Sequence, residues 1–185
     1  MLWDCIALID GATRAAIQER GGLKAIAISH PHYYTTMVEW SRALGGVPVY
    51  LHAADRQWAM RCDPCLRFWE GERLQLDDGI TLIRCGGHFE GGTVLYWRAG
   101  AGGRGTLLTG DILQVVPDRR WVSFMYSYPN YIPLGEAAVH RIARAVEPFD
   151  FDRIYGAFHA MVVGENGKSA VQRSVQRYLK AIRGS

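Results

Sequence analysis

Two hydrophobic periods alternate over the first third of the chain. Residues 4–9 (DCIALI) form a short apolar run that predicts a buried strand, and residues 12–20 mix apolar and polar positions at helical spacing before Gly21-Gly22 stops them. The pattern then repeats: a strand over 24–28, a helix over 34–44 closed by Gly45-Gly46, a strand over 47–51 and a short helix over 53–60. Strands separated by helices predict a parallel sheet joined by crossovers.

The pattern changes after Cys62. Short strand-like runs at 67–69, 73–76, 80–85, 93–97 and 106–109 are divided by Gly- and Asp-rich turns, which predicts a mainly antiparallel stretch. Residues 112–133 show no clear period and are rich in aromatics, including Trp121, Phe124, Tyr126, Tyr128 and Tyr131. A helix over 134–146, a strand over 153–156 and a basic helix over 168–183 complete the reading. No linker composition interrupts the chain, so one domain spanning 1–185 is expected; a split near residue 62 would leave two thin cores.

Composition narrows the classes. The net charge is +3 and the arginines are scattered, so nucleic acid is not the expected partner. No apolar run approaches the ~18 residues of a membrane span, and MLWDCIALID lacks the basic start of a signal peptide. A cytoplasmic protein acting on a small molecule is expected, with self-association left open. The four cysteines, Cys5, Cys62, Cys65 and Cys85, are then reduced thiols. Cys62-Asp-Pro-Cys65 is a lone C-x-x-C without the second pair a structural zinc needs, so two loop thiols are the simpler reading.

Candidate chemistry sits just after the strands. His30 and His32 follow the second strand, His88 follows 80–85 in Cys85-Gly86-Gly87-His88, Asp111 follows 106–109, and His159 follows 153–156. Side chains at strand ends gather at one edge of an α/β sheet. An extended H-x-H would aim both imidazoles the same way. Each histidine alone is more often a core or surface residue; the shared placement favours a metal. Three imidazoles and a carboxylate suit Zn²⁺, and iron or manganese also fit.

These residues resemble the metallo-β-lactamase superfamily over nearly the whole chain. Trp3-Asp4-Cys5 is similar to the strand-end acid of that family. Ser29-His30-Pro31-His32 resembles the start of H-x-H-x-D-H, Gly87–Thr93 resembles G-H-[ST]-x-G-[GS], and Leu108-Thr109-Gly110-Asp111 resembles [FL]-x-G-D. The resemblance implies an α/β fold, a four-layer αββα sandwich with metal at one edge of two sheets. Because three residues precede Asp4 where the family has several strands, either a first sheet short of strands or a misassigned start is expected. The resemblance also implies the ligand set His30, His32, His88 and Asp111. Tyr34 and Thr35 stand where the second metal's Asp and His would fall, and His159 lies one residue beyond the expected last histidine. One ion in a three-histidine site is therefore expected, zinc first, or a second one bound weakly, with His159 the remaining candidate ligand. The implied activity is hydrolysis of an ester, thioester, lactone or phosphoester by hydroxide held on the metal. Asp111 would handle the proton, and Tyr34 would donate to an oxyanion or fill the vacated volume. Nothing beyond the shared motifs points to β-lactam cleavage. The rival reading is a degenerate, non-catalytic binding protein; an iron-dependent redox member is a third class.

Overall fold

A computed structural model describes residues 1–184. Backbone contacts divide the chain into two compact units, Met1–Glu70 and Gly71–Ser185, each with its own apolar core.

The first unit holds a four-stranded sheet of β1 (Leu2–Trp3), β2 (Ile26–Ala27), β3 (Val49–His52) and β4 (Leu66–Trp69), in that order and all parallel. The parallel expectation holds, and β4 extends it. Sequence reasoning placed residues 67–69 in the antiparallel stretch, but they pair in register with β3, His52 opposite Trp69. Helices α1 (Gly11–Glu19) and α2 (Met37–Ala43) form the crossovers. Asp10 caps α1, its Oδ1 accepting from the Thr13 N–H at 2.6 Å. The core gathers Ile26, Ile28, Met37, Trp40, Val49 and Leu51.

The strand expected over 4–9 does not form. β1 ends at Trp3, because Asp4 adopts a left-handed φ of 59° and turns the chain away. Side chains hold the following loop instead: Thr36 Oγ1 and Trp40 Nε1 both donate to the Ile6 carbonyl at 2.8 Å. Ile6 and Leu8, which made the run look buried, are exposed. The segment over 53–60 is also tighter than expected, a 3-10 helix over Ala53–Trp58.

The second unit is built on a six-stranded sheet. The strands β5 (Arg73–Asp77), β6 (Ile80–Arg84), β7 (Thr93–Trp97) and β8 (Thr106–Gly110) make an antiparallel meander. A broken helical turn, α3 (Gly100–Gly103), lies between β7 and β8. β13 (Arg153–Gly156) then adds parallel to β8, and β14 (Val162–Val163) closes the edge antiparallel to β13. The aperiodic aromatic segment resolves into two small ribbons. β9 (Gln114–Val115) pairs with β10 (Val122–Ser123), and β11 (Met125–Ser127) pairs with β12 (Ile132–Pro133). Helix α4 (Glu136–Val146) buries Val139, Ile142 and Val146, at i, i+3 and i+7. Helix α5 (Gly167–Arg183) buries Ala170, Val171, Ser174, Val175 and Leu179. Both stripes face a core with Ile83, Leu107, Leu113, Phe124 and Ile154. No helix of the described residues is long and apolar enough to cross a membrane.

Candidate metal centre

In the first unit the two histidines follow β2, but not as an extended pair. His30 is extended, at φ −167° and ψ 168°, and Pro31–Tyr33 then form a 3-10 turn. Proline at the first position of that turn has no N–H to leave unsatisfied. The turn, rather than strand alternation, brings the rings together. Their centroids are 4.8 Å apart, and His30 Nε2 lies 3.2 Å from His32 Nδ1.

A polar chain behind His30 fixes its protonation. Asp4 accepts from the Ser29 N–H at 2.7 Å and from Ser29 Oγ at 2.9 Å. Ser29 Oγ also lies 2.8 Å from His30 Nδ1. Since the Ser29 proton goes to Asp4, the bond to His30 must run from Nδ1–H to Ser29 Oγ. Nε2 of His30 is then the lone-pair nitrogen, the form in which imidazole binds metals. The left-handed φ that ends β1 also sets the Asp4 carboxylate against Ser29. Sequence reasoning missed Ser29, although its position beside the H-x-H was the available signal.

In the second unit His88 sits on a closed loop. Cys85 N–H and Gly86 N–H both donate to the Gly92 carbonyl, at 2.7 and 2.9 Å, so residues 86–91 close into a compact loop. Gly86 and Gly87 have φ of 69° and 86°. A Cβ on Gly87 would lie 2.9 Å from Ile142 Cδ1, so the loop needs glycine for both conformation and space. His88 Nδ1 meets the Tyr126 carbonyl at 2.8 Å. A carbonyl only accepts, so Nδ1 carries the hydrogen and Nε2 carries the lone pair.

Asp111 follows β8 directly after Gly110, whose φ is 50°. The Tyr128 hydroxyl donates to the Asp111 carbonyl at 2.9 Å, and the Tyr128 ring stands edge-on to His88 with centroids 5.5 Å apart. Burial, and then the Asp111 charge, push the Tyr128 phenol well above its ordinary range, so it serves as a donor. The aromatic segment thus supports His88 and Asp111 through Tyr126 and Tyr128, while Phe124 packs in the core.

Tyr34 is buried in the core of the first unit. Burial first, then the charges of Asp55 and Asp4, hold its phenol protonated. Thr35 is exposed. His159 is exposed on the turn between β13 and β14.

Comparison with known proteins fits this architecture. The chain is 52% identical over 182 residues to the uncharacterized protein YmaE of Bacillus subtilis (strain 168), covering 98% of this chain and 66% of that protein. The chain therefore spans a little under two thirds of that relative's length. No family model matches. Among solved structures, a B3 metallo-β-lactamase with an active-site glutamic acid superposes at a TM-score of 0.63 and 19% identity, covering 98% of this chain and 80% of its own. TTHA1623, solved in a di-iron-bound form, gives 0.63 and 22%, covering 91% and 85%. VMB-1 gives 0.64 and 13%, covering 94% and 76%. The chain has the metallo-β-lactamase fold, a mixed α/β fold.

Proposed function

We propose that the chain is a metal-dependent hydrolase in which the imidazoles of His30, His32 and His88 hold one divalent ion and Asp111 serves its open position. Each offers one donor atom of the right kind. The pairing of His30 with His32 carries the reading. Two ligand nitrogens about 2.0–2.1 Å from a tetrahedral ion lie ~3.3 Å apart, and these two stand 3.2 Å apart. The lone pair on His30 Nε2, set by Asp4 and Ser29, points to the same use. His88 repeats the device with a backbone carbonyl behind it.

When bound, a divalent ion supplies Lewis acidity and lowers the pKa of a coordinated water toward ~7. The chain's own residues do the rest. Asp111 accepts the proton of the attacking water and returns it to the leaving group. The hairpin β11–β12 exposes Tyr126, Tyr131 and Ile132, an apolar surface continuous with the backbone that holds His88, which favours an acyl or ring-bearing substrate. Esters, thioesters and lactones fit this surface, and phosphoesters share the chemistry. Tyr34 is read as filling volume. Zinc suits the nitrogen-rich donor set; iron and manganese belong in the same assay, since one fold neighbour is described in a di-iron form.

Metal analysis of gently purified protein tests this. About one equivalent is expected, lost in His30→Ala and in His88→Ala. Chelator-sensitive hydrolysis of aryl esters or phosphodiesters is expected from the same preparation. Protein that folds and holds no zinc, iron or manganese, even after incubation with each, would falsify the proposal.

A further inference from the structure

The second unit carries a polar cleft, remote along β8 from Asp111. A cavity of about 760 Å³ opens beside β14 and the start of α5, within the range of small-molecule sites. Arg104, Arg119, Arg120, Arg153 and Arg173 line it, against one acid, Glu165. Arg104 precedes β8 and Asp111 follows it, so the strand separates the two regions.

The arginines fall into two kinds. Arg104 and Arg120 are exposed and neutralised by carboxylates, Asp152 at 2.9 Å and Asp118 at 2.7 Å. Arg119, Arg153 and Arg173 are half-buried and held by backbone carbonyls. Arg119 donates to Val116 and Ala160, Arg153 to Gly164, and Arg173 to the Arg120 carbonyl. Among the described residues none of these three makes a close ion pair with a carboxylate, although the Asp152 charge reaches Arg153 and Arg173 lies 5.6 Å from the centre of the Trp121 ring. A carbonyl dipole fixes a guanidinium in place without cancelling its charge. Three pre-positioned cations, partly withdrawn from water and facing one cavity, are costly alone and favourable around a multivalent anion.

We propose that this cleft binds an oligophosphate group, whether an inorganic chain or the phosphates of a nucleotide. Guanidinium forks match phosphate oxygens, and a single carboxylate would satisfy only one of the three. Glu165 in the lining, with Asp118 and Asp152 paired to Arg120 and Arg104, breaks any continuous basic track, which suits a compact anion better than a nucleic-acid strand. Arg153 commits only Nε to its carbonyl, so its two terminal nitrogens remain for a ligand.

Calorimetric titration of the full chain with inorganic triphosphate, and separately with ATP, tests the site. Saturable one-to-one binding is expected, weakening as salt rises. Arg153→Gln combined with Arg173→Gln should weaken it by roughly tenfold or more. Ser169→Glu places a negative charge at an exposed position lining the same cleft and should also weaken binding severalfold. It replaces none of the carbonyl-held arginines, so it reports even if the double variant unfolds. Binding should persist in His88→Ala, which separates the cleft from the histidine set. Equal affinity for both probes assigns recognition to the phosphates, and clearly tighter ATP binding adds the nucleoside. Absence of saturable binding for both, affinity unchanged by the arginine and serine variants, or loss in His88→Ala alone overturns the proposal.

Discussion

Asp4 grips Ser29 twice, through its backbone N–H at 2.7 Å and its hydroxyl at 2.9 Å. Ser29 can then only accept from His30. Replacing Ser29 with alanine frees His30 to rotate or change tautomer. Metal affinity should fall ~10–100-fold, as when other outer partners of metal-binding histidines are removed, and stability should drop by about 1 kcal/mol. Competition against a chromophoric chelator reads the first and urea unfolding the second. Unaltered metal affinity would show that the chain behind His30 does not set its role.

Gly87→Ala should be harmful beyond its backbone strain. Gly87 and Gly102 both have positive φ, but a Cβ on Gly102 meets open space while one on Gly87 presses on Ile142 and Leu134. Gly102→Ala is expected to cost ~1 kcal/mol and Gly87→Ala ~2–4 kcal/mol, with lower metal occupancy. Equal melting temperatures for the two variants would contradict the packing account.

Rebuilding a second ion's ligands should fail at one position and be tolerated at the other. Thr35 is exposed, so Thr35→His should change stability by no more than ~0.5 kcal/mol. Tyr34 is 7% exposed, and an aspartate there would sit in an apolar core near Asp55 and Asp4. Tyr34→Asp should cost about 3 kcal/mol or more. Added metal stoichiometry in a stable Tyr34→Asp, Thr35→His protein would show that the tyrosine is replaceable and the motif register right.

Alkali should destabilise the protein before it ionises the buried thiols. Burial pushes the Cys5 thiol, with help from the Asp4 charge, and the Cys85 thiol up to about 12 from an ordinary 9. The folded state keeps these protons more tightly than the unfolded state does. Their contribution is thus complete below pH 9 and is lost as pH rises from about 9 toward 12. Melting temperature should fall across that window, and Cys85→Ala should flatten part of the fall. Identical slopes in wild type and variant would remove Cys85 from the explanation.

The alternation of strand and helix over the first 60 residues was legible because each element has its own period and a glycine stop, as at Gly45-Gly46. The meander was legible from its turns. The metallo-β-lactamase resemblance, read from four short motifs, agrees with the fold. What failed was local. The run over 4–9 has strand composition, but one left-handed residue, Asp4, ends β1, and no period reveals a φ value. The H-x-H pair was read as extended when Pro31 starts a 3-10 turn. Ser29, Tyr126 and Tyr128 were not seen as support for the candidate ligands, because their contacts cross long sequence separations or use backbone atoms. The residues proposed as ligands were legible from their places just after strands and from the motif resemblance.

The parallel seam between β8 and β13 also has a kinetic meaning. The meander β5–β8 can zip through tight local turns, and it carries the His88 loop. Pairing β8 with β13 must wait until residues 111–152, including both aromatic ribbons and α4, have been laid down. Loop closure over such a separation is slow. The loop bearing His88 should therefore gain amide-exchange protection early in refolding, and Asp111 with its Tyr128 prop should follow only when the long crossover closes.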